Sequence, residues 1–258
     1  MSCEGRIAIV TGSSSGIGQA IATTLALQGC SVALAARRIE VLEKLKSDLV
    51  AKGVSSSKII CCKTDVAVRQ SVLDLVSLTE SSLGPIDILV NCAGVMYFTL
   101  MKNCNMDEWD RTIDTNIKGV TNGFGAVLPL FLSRSNGHII TISSDAGRRV
   151  FPSLAVYCAS KTFVEVLSEG TRREVVGTGV KITTIQPGDV GGTELIMKNS
   201  DTEAASKMGV TIGAPVGEGF NRNQLLDTQD VADAVLYAVT APKHVAVNEI
   251  LIEPRDQE

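Results

Sequence analysis

A chain of 258 residues, 45% of them hydrophobic, has material for a sizeable buried core, and its formal net charge of −4 with scattered Lys and Arg leaves no electrostatic footprint for nucleic acid or an anionic membrane. No window approaches the ~20 apolar residues of a membrane span, and the apolar run at 7–10 follows Met1 too closely for a signal peptide, so a cytoplasmic protein without nucleic-acid or membrane partners is expected. Seven cysteines without C-x-x-C spacing and two histidines provide no structural zinc set, and no metal is expected.

The chain alternates strand and helix patterns. A β-rich run at 6–11 leads through Gly12-Ser-Ser-Ser-Gly16-Ile-Gly18 into a helical pattern at 19–28, which is the context of a dinucleotide fingerprint. Gly12 allows the tight turn, Gly16 the approach of a pyrophosphate to the backbone, and Gly18 close packing of the helix, whose first amides face the phosphates. A second strand at 31–36 ends in Ala36 where folds with this fingerprint often carry an acid for the ribose hydroxyl, and Arg37 and Arg38 follow. A missing acid beside two guanidiniums is what a 2′-phosphate requires, which points to NADP(H). Glu40, in the first turn of the next helix at 40–52, is more simply a partner for the helix dipole.

A third strand at 54–63 is followed by Asp65-Val66, at the edge where an adenine would lie, and Asp65 is also expected to cap the helix at 67–83. Gly84-Pro85 breaks that helix, and a fourth strand at 86–90 closes in Asn91-Cys92-Ala93-Gly94, whose small residues let backbone pass near a cofactor. The long helical pattern at 106–132 holds Asn116 on an apolar face, where an amide is either a bonded structural group or a functional one. Further strands are expected at 137–143, 180–186 and 247–252, with a helix from Ala155 and another at 230–241. This alternation predicts an α/β, Rossmann-type, doubly wound parallel sheet of about seven strands with helices on both faces, formed by residues 1–258 as a single domain. Residues 189–227 make too long a connection for an ordinary loop. With a Gly191-Gly192 hinge, a short helix at 202–208, and Leu195, Met197, Met208, Ile212 and Phe220, they read as a substrate-covering lid with an apolar underside.

Tyr157 and Lys161 stand four apart on the helix from Ala155 and so share a face, while Ser144 ends the strand thirteen residues before Tyr157. Bringing a tyrosine from ~10 to neutrality takes roughly three pH units, or about 4 kcal/mol. One ammonium at ~4 Å supplies about that much at an effective dielectric of ~20, so Lys161 is expected to make Tyr157 an acid–base group. Cys158 beside it reads as a packing residue, and Arg148 and Arg149 are either a solvated pair or partners for a substrate carboxylate.

Taken together, T-G-S-S-S-G-I-G at 11–18, Asp65-Val66, N-C-A-G at 91–94, Asn116, Ser144, Y-C-A-S-K at 157–161 and P-G-D-V-G-G-T at 187–193 resemble the short-chain dehydrogenase/reductase family over essentially the whole chain. N-C-A-G departs from the commoner N-N-A-G, and Ser15 stands where some NADPH-preferring members carry a basic residue. The resemblance implies Tyr157 as general acid/base, Ser144 as the donor that orients a carbonyl, Lys161 as phenol tuner and ribose binder, and Asn116 as holder of a relay water. It implies cofactor contacts at Gly12, Ser14, Ser15, Gly16, Ile17 and Gly18, at Asp65, Val66, Asn91, Ala93 and Gly94, and at Pro187, Gly188, Val190 and Thr193. The pattern looks most like the branch of NADP-dependent 3-hydroxy-acid and serine dehydrogenases and broad carbonyl reductases. Members of that branch are commonly homotetramers, and a homo-oligomer, tetramer or dimer, is expected. The reaction expected is NADP(H)-linked interconversion of a secondary alcohol and a ketone or aldehyde. The alternatives are a 3-hydroxy-acid dehydrogenase and a non-catalytic NADP(H)-binding redox sensor.

Overall fold

The short β-branched runs of the sequence become seven strands: β1 (Ile7–Thr11), β2 (Ser31–Ala36), β3 (Ile59–Lys63), β4 (Ile88–Asn91), β5 (Gly137–Ile142), β6 (Val180–Pro187) and β7 (Glu249–Ile252). In this computed structural model, which describes residues 3–214 and 225–257, all seven pair in parallel in the order β3-β2-β1-β4-β5-β6-β7. Parallel strands need crossovers, and helices supply them: α1 (Gly16–Leu27), α2 (Ile39–Ala51), α3 (Arg69–Leu83), α5 (Gly119–Arg134), α6 (Ala155–Glu174) and α8 (Thr228–Thr240), with the shorter α4 (Met106–Thr112) and α7 (Thr202–Met208) between them. The expected doubly wound sheet is thus present.

Alternation along each strand builds two cores. Ala8, Val10, Val32, Leu34, Val90 and Ile140 face α1, α2 and α8 through Ile21, Leu25, Leu42, Val231 and Val235. Ile7, Ile9, Ala33, Leu89 and Ile139 face the other way, onto Val72 and Leu75 of α3, Phe124, Val127 and Phe131 of α5, and Val164 of α6. The strand order reverses between β1 and β4, so the carboxyl ends of those two strands diverge into a crevice, the usual ligand site of such sheets.

Three sequence expectations shift. The third strand is confined to Ile59–Lys63 because Ser56–Lys58 forms a single 3₁₀ turn before it. The helix after Asp65 starts at Arg69 with Val68 as its N-cap, and Asp65 instead accepts the Ala67 amide at 3.0 Å in a turn ahead of it. The long pattern at 106–132 is divided by a π turn, Ile113–Lys118, that carries Asn116. Among the described residues no helix is long and apolar enough to cross a membrane.

Phe131 is fully buried, and Gly137 is pressed so close that a Cβ there would come within 2.1 Å of its ring. Phe131→Ala is expected to cost about 3–5 kcal/mol, read as a lower midpoint in urea with an unchanged slope.

Candidate active site

The glycine turn is shaped by contact with its neighbours. Gly12 has φ +71°, and a Cβ on it would come within 2.8 Å of the Ala93 Cα, while one on Gly18 would meet the Gly12 carbonyl at 2.4 Å. Gly16, at φ +54°, lies opposite Thr193, and a Cβ on it would stand 3.6 Å from Thr193 Cγ2. A Cβ on Gly94 would stand 3.5 Å from Asn116 Oδ1 and 4.0 Å from Lys161 Nζ. These glycines leave a cradle lined by backbone, beside the N-terminal amides of α1, that fits a dinucleotide pyrophosphate. Thr11, which the sequence reading left without a role, ties the crevice together: its hydroxyl donates to the Val90 carbonyl at 3.2 Å and accepts the amides of Cys92 and Ala93 at 3.0 and 3.2 Å.

The carboxyl end of β5 and the start of α6 bring Ser144, Tyr157 and Lys161 together, each 7–8% exposed. Lys161 Nζ donates to the Ile142 carbonyl at 2.9 Å and lies over the Tyr157 ring, 5.5 Å from its centroid. Burial pulls Lys161 down to about 8 against the attraction of Cys92 and Glu165. Burial also pushes the Tyr157 phenol well above its ordinary value, with only Ser144 opposing it and Asp145 and Asp189 adding to the rise. This corrects the expectation that Lys161 by itself brings Tyr157 towards neutrality: desolvation of the phenol outweighs an ammonium aimed at a carbonyl and a ring face.

Asn116 sits in the π turn, a distortion frequent at functional sites. Its Oδ1 accepts the Val95 amide at 2.9 Å, and its Nδ2 donates to the Val95 carbonyl at 2.9 Å and the Ser160 hydroxyl at 3.1 Å. Both amide donors are therefore engaged in holding the loop after Gly94 against α6.

Arg38, of the two arginines after β2, reaches the glycine turn, donating to Ser14 Oγ at 3.0 Å, Ser15 Oγ at 3.1 Å and Glu194 Oε2 at 3.0 Å. Arg37 instead lines a surface hollow with Lys63, Thr64, Asp65 and Ser71. Val66 packs on Gly119, and its carbonyl accepts Asn122 Nδ2 at 2.8 Å. Asn91, at the end of β4, keeps a buried Nδ2 without a partner among the described residues. Val190 and Thr193 are buried beyond Pro187, the last residue of β6, and Gly188.

The segment after Val190 begins and ends at one place, with Val190 bridged to Leu226. Asn199 accepts the Phe98 amide, and Asp201 accepts the Leu100 amide at 3.0 Å, which docks the segment on the loop at 96–103. Ile196 and Ala204, with Met208 and Val210, form its underside against Phe98, Leu154, Tyr157 and Cys158. Met197 is 39% exposed and points away, contrary to the sequence expectation, and Phe220 lies outside the described residues. Arg148 and Arg149 pair with Glu249 and Glu253, so neither is a free partner for a carboxylate.

A model of the short chain dehydrogenase family matches residues 6–204. A glycine betaine reductase of Emericella nidulans is 51% identical over 254 residues, 98% of this chain but 19% of that protein, so this chain spans about a fifth of its length. An uncharacterized oxidoreductase of Staphylococcus aureus is 38% identical over 96% of this chain and 97% of its own length. Among solved structures, the closed form of serine dehydrogenase complexed with NADP+ superposes with a TM-score of 0.82 at 32% identity, covering 95% of this chain and 94% of that one.

Because Lys161 titrates near 8 when folded and 10.5 when exposed, the unfolded chain binds the extra proton between those values. Its contribution therefore makes stability rise with pH through that window, and below it the buried charge is a constant cost. Urea unfolding of wild type and Lys161→Met from about pH 7 to 10 is expected to show the wild type gaining on the variant as pH rises, by on the order of 2–3 kcal/mol. A difference independent of pH would contradict the depressed ammonium.

Proposed function

This chain belongs to the short chain dehydrogenase family of oxidoreductases, and from that premise we propose that it is an NADP(H)-dependent enzyme interconverting a secondary alcohol and a ketone or aldehyde. The observation that carries this reading is the burial of the Tyr157 and Ser144 hydroxyls and the Lys161 ammonium side by side, next to the glycine cradle. The glycine turn, Arg38 and Lys161 would hold a nicotinamide cofactor, which when bound would supply or take a hydride. As a hydride arrives on the carbonyl carbon, Tyr157 gives its proton to the oxygen, and in the reverse direction it takes that proton from the alcohol. Ser144, whose single proton otherwise goes to Asp145 Oδ1, would turn to donate a hydrogen bond that orients the oxygen. The raised phenol pKa keeps the proton on Tyr157 until substrate charge develops, and the positive charge of Lys161 stabilises the phenolate once it forms.

In this reading Asn116 positions the loop after Gly94, and any relayed water meets the main chain of the π turn. Residues 189–227 serve as a cover within one catalytic domain, and the pairing of Arg148 and Arg149 with glutamates favours an uncharged or cationic carbonyl compound over a 3-hydroxy acid. The name of the Emericella relative brings trimethylammonium compounds into the substrate panel. A homo-oligomer is supported by Phe163 and Val166, apolar and exposed on α6.

Tyr157→Phe removes one oxygen and is expected to lower NADPH-linked turnover of an accepted ketone by at least ~10²-fold while leaving cofactor binding in place. Near-wild-type turnover by the variant would reject the role of Tyr157. A wild type that binds NADPH and turns over nothing in a broad carbonyl and alcohol panel would favour the sensor reading.

Support for NADP(H) over NAD(H) comes from Arg38, whose exposed guanidinium meets the Ser14 hydroxyl at the glycine turn and would have to leave its pair with Glu194 to take a 2′-phosphate. Arg38→Ala is expected to weaken NADPH by about 1.5–3 kcal/mol and NADH hardly at all, with Arg37→Ala the milder variant. Fluorescence titration of both cofactors decides it, and equal wild-type affinities would overturn the preference.

A further inference from the structure

On the substrate side of Tyr157 a network reaches across the whole chain. Ser144 Oγ donates to Asp145 Oδ1 at 2.9 Å, and Asp145, only 6% exposed, accepts Gln257 Nε2 on its other oxygen at 2.9 Å. Gln257 Oε1 in turn accepts the Asp189 amide at 2.9 Å, and its side chain lies so tightly on Gly188 that a Cβ there would come within 2.1 Å of it. Asp189 is exposed where the chain leaves β6, one side chain away from Asp145 through Gln257, and burial, together with the charges of both acids, holds the Tyr157 phenol up.

Nothing formally positive among the described residues answers these two acids. Gln257 is an amide, so it fixes Asp145 in place without neutralising it. Arg148 is turned to Glu249, Arg149 to Glu253, and Lys161 to the Ile142 carbonyl, with Glu165 beside it. The rest of this wall is apolar, with Phe98, Leu154 and Ile196 buried and Met96 and Phe151 packed against them. Unanswered carboxylates within reach of the hydroxyls that receive a carbonyl oxygen attract a cation and repel an anion, and aromatic faces accept the methyl groups of a quaternary ammonium.

We propose, resting on the reductase reading above, that Asp145 and Asp189 select carbonyl compounds and alcohols carrying an ammonium group close to the reacting carbon. Asp145 is the specificity-determining residue of the pair, since it touches the Ser144 hydroxyl directly. The reaction is unchanged: a hydride adds to the carbonyl carbon from NADPH and the Tyr157 proton to its oxygen, so that an aldehyde becomes an alcohol.

The test is the ratio of kcat/KM for NADPH-linked reduction of (trimethylammonio)acetaldehyde to that of 3,3-dimethylbutanal, which has the same shape without the charge. The wild-type ratio is expected to be at least about tenfold in favour of the cation. It is expected to fall towards one in Asp145→Asn and in Asp189→Asn, whatever happens to either absolute rate. Should Asp145→Asn not fold, the exposed Asp189→Asn and the wild-type ratio still decide. A wild-type ratio of one or below, or one that survives in both variants, overturns the proposal. Turnover of the neutral aldehyde alone does so while leaving the reductase reading intact, and turnover of neither by NADPH-bound enzyme overturns both.

Discussion

Desolvation at the junction of β5 and α6 is the constraint to which the site answers. An ammonium and a phenol are both held out of water there, and each shifts in the direction that disfavours its charged form. The ammonium is tolerable only because the Ile142 carbonyl accepts from it and the Tyr157 ring offers its negative face. The two cores on either side of the sheet carry this cost, since they bury apolar residues from all the crossover helices. Function then turns on how charge is balanced during the reaction: a buried pair that holds one positive charge at rest can respond strongly when substrate and cofactor bring charge into the same low-dielectric space.

The fold was legible because its signals are local. Short continuous apolar, β-rich runs marked the strands to within a few residues, and Gly84-Pro85 marked the end of the helix before the fourth of them. The helix over 202–208 was placed correctly, since Asp201 caps it through the Ala204 amide. Asp65 looked like the same device, yet its short turn to Ala67 delays the helix to Arg69, and a side chain that can make either bond gives no sign of which it makes.

Within the site, Tyr157, Lys161 and Ser144 were named from spacing and Asn116 as an amide on an apolar helix face, and the structure gathers them in one place. What spacing could not convey was surroundings. The reading set Lys161 and a charged nicotinamide against the phenol and left out burial, so the sign of the Tyr157 shift came out reversed in the free site. Gln257 lies 112 residues from Asp145, and Arg38 lies 156 from Glu194; neither pairing leaves a local trace, because such contacts exist only after the sheet has set the ends of distant strands side by side.

The π turn that carries Asn116 sets the phase of everything after it. One extra residue in a helical turn advances the following helix by about 100° about its own axis relative to an uninterrupted α-helix. With the turn in place, Gly119 meets Val66, Gly123 meets Asn91, and Phe124, Val127 and Phe131 enter the core. Removing a single residue between Ile113 and Lys118 would let the segment relax to an ordinary helix and rotate α5 by about 100°, taking Gly119, Gly123 and the phenylalanines off the contacts they now make. Chain length in this stretch is therefore as much a part of the site's specification as the identity of Asn116.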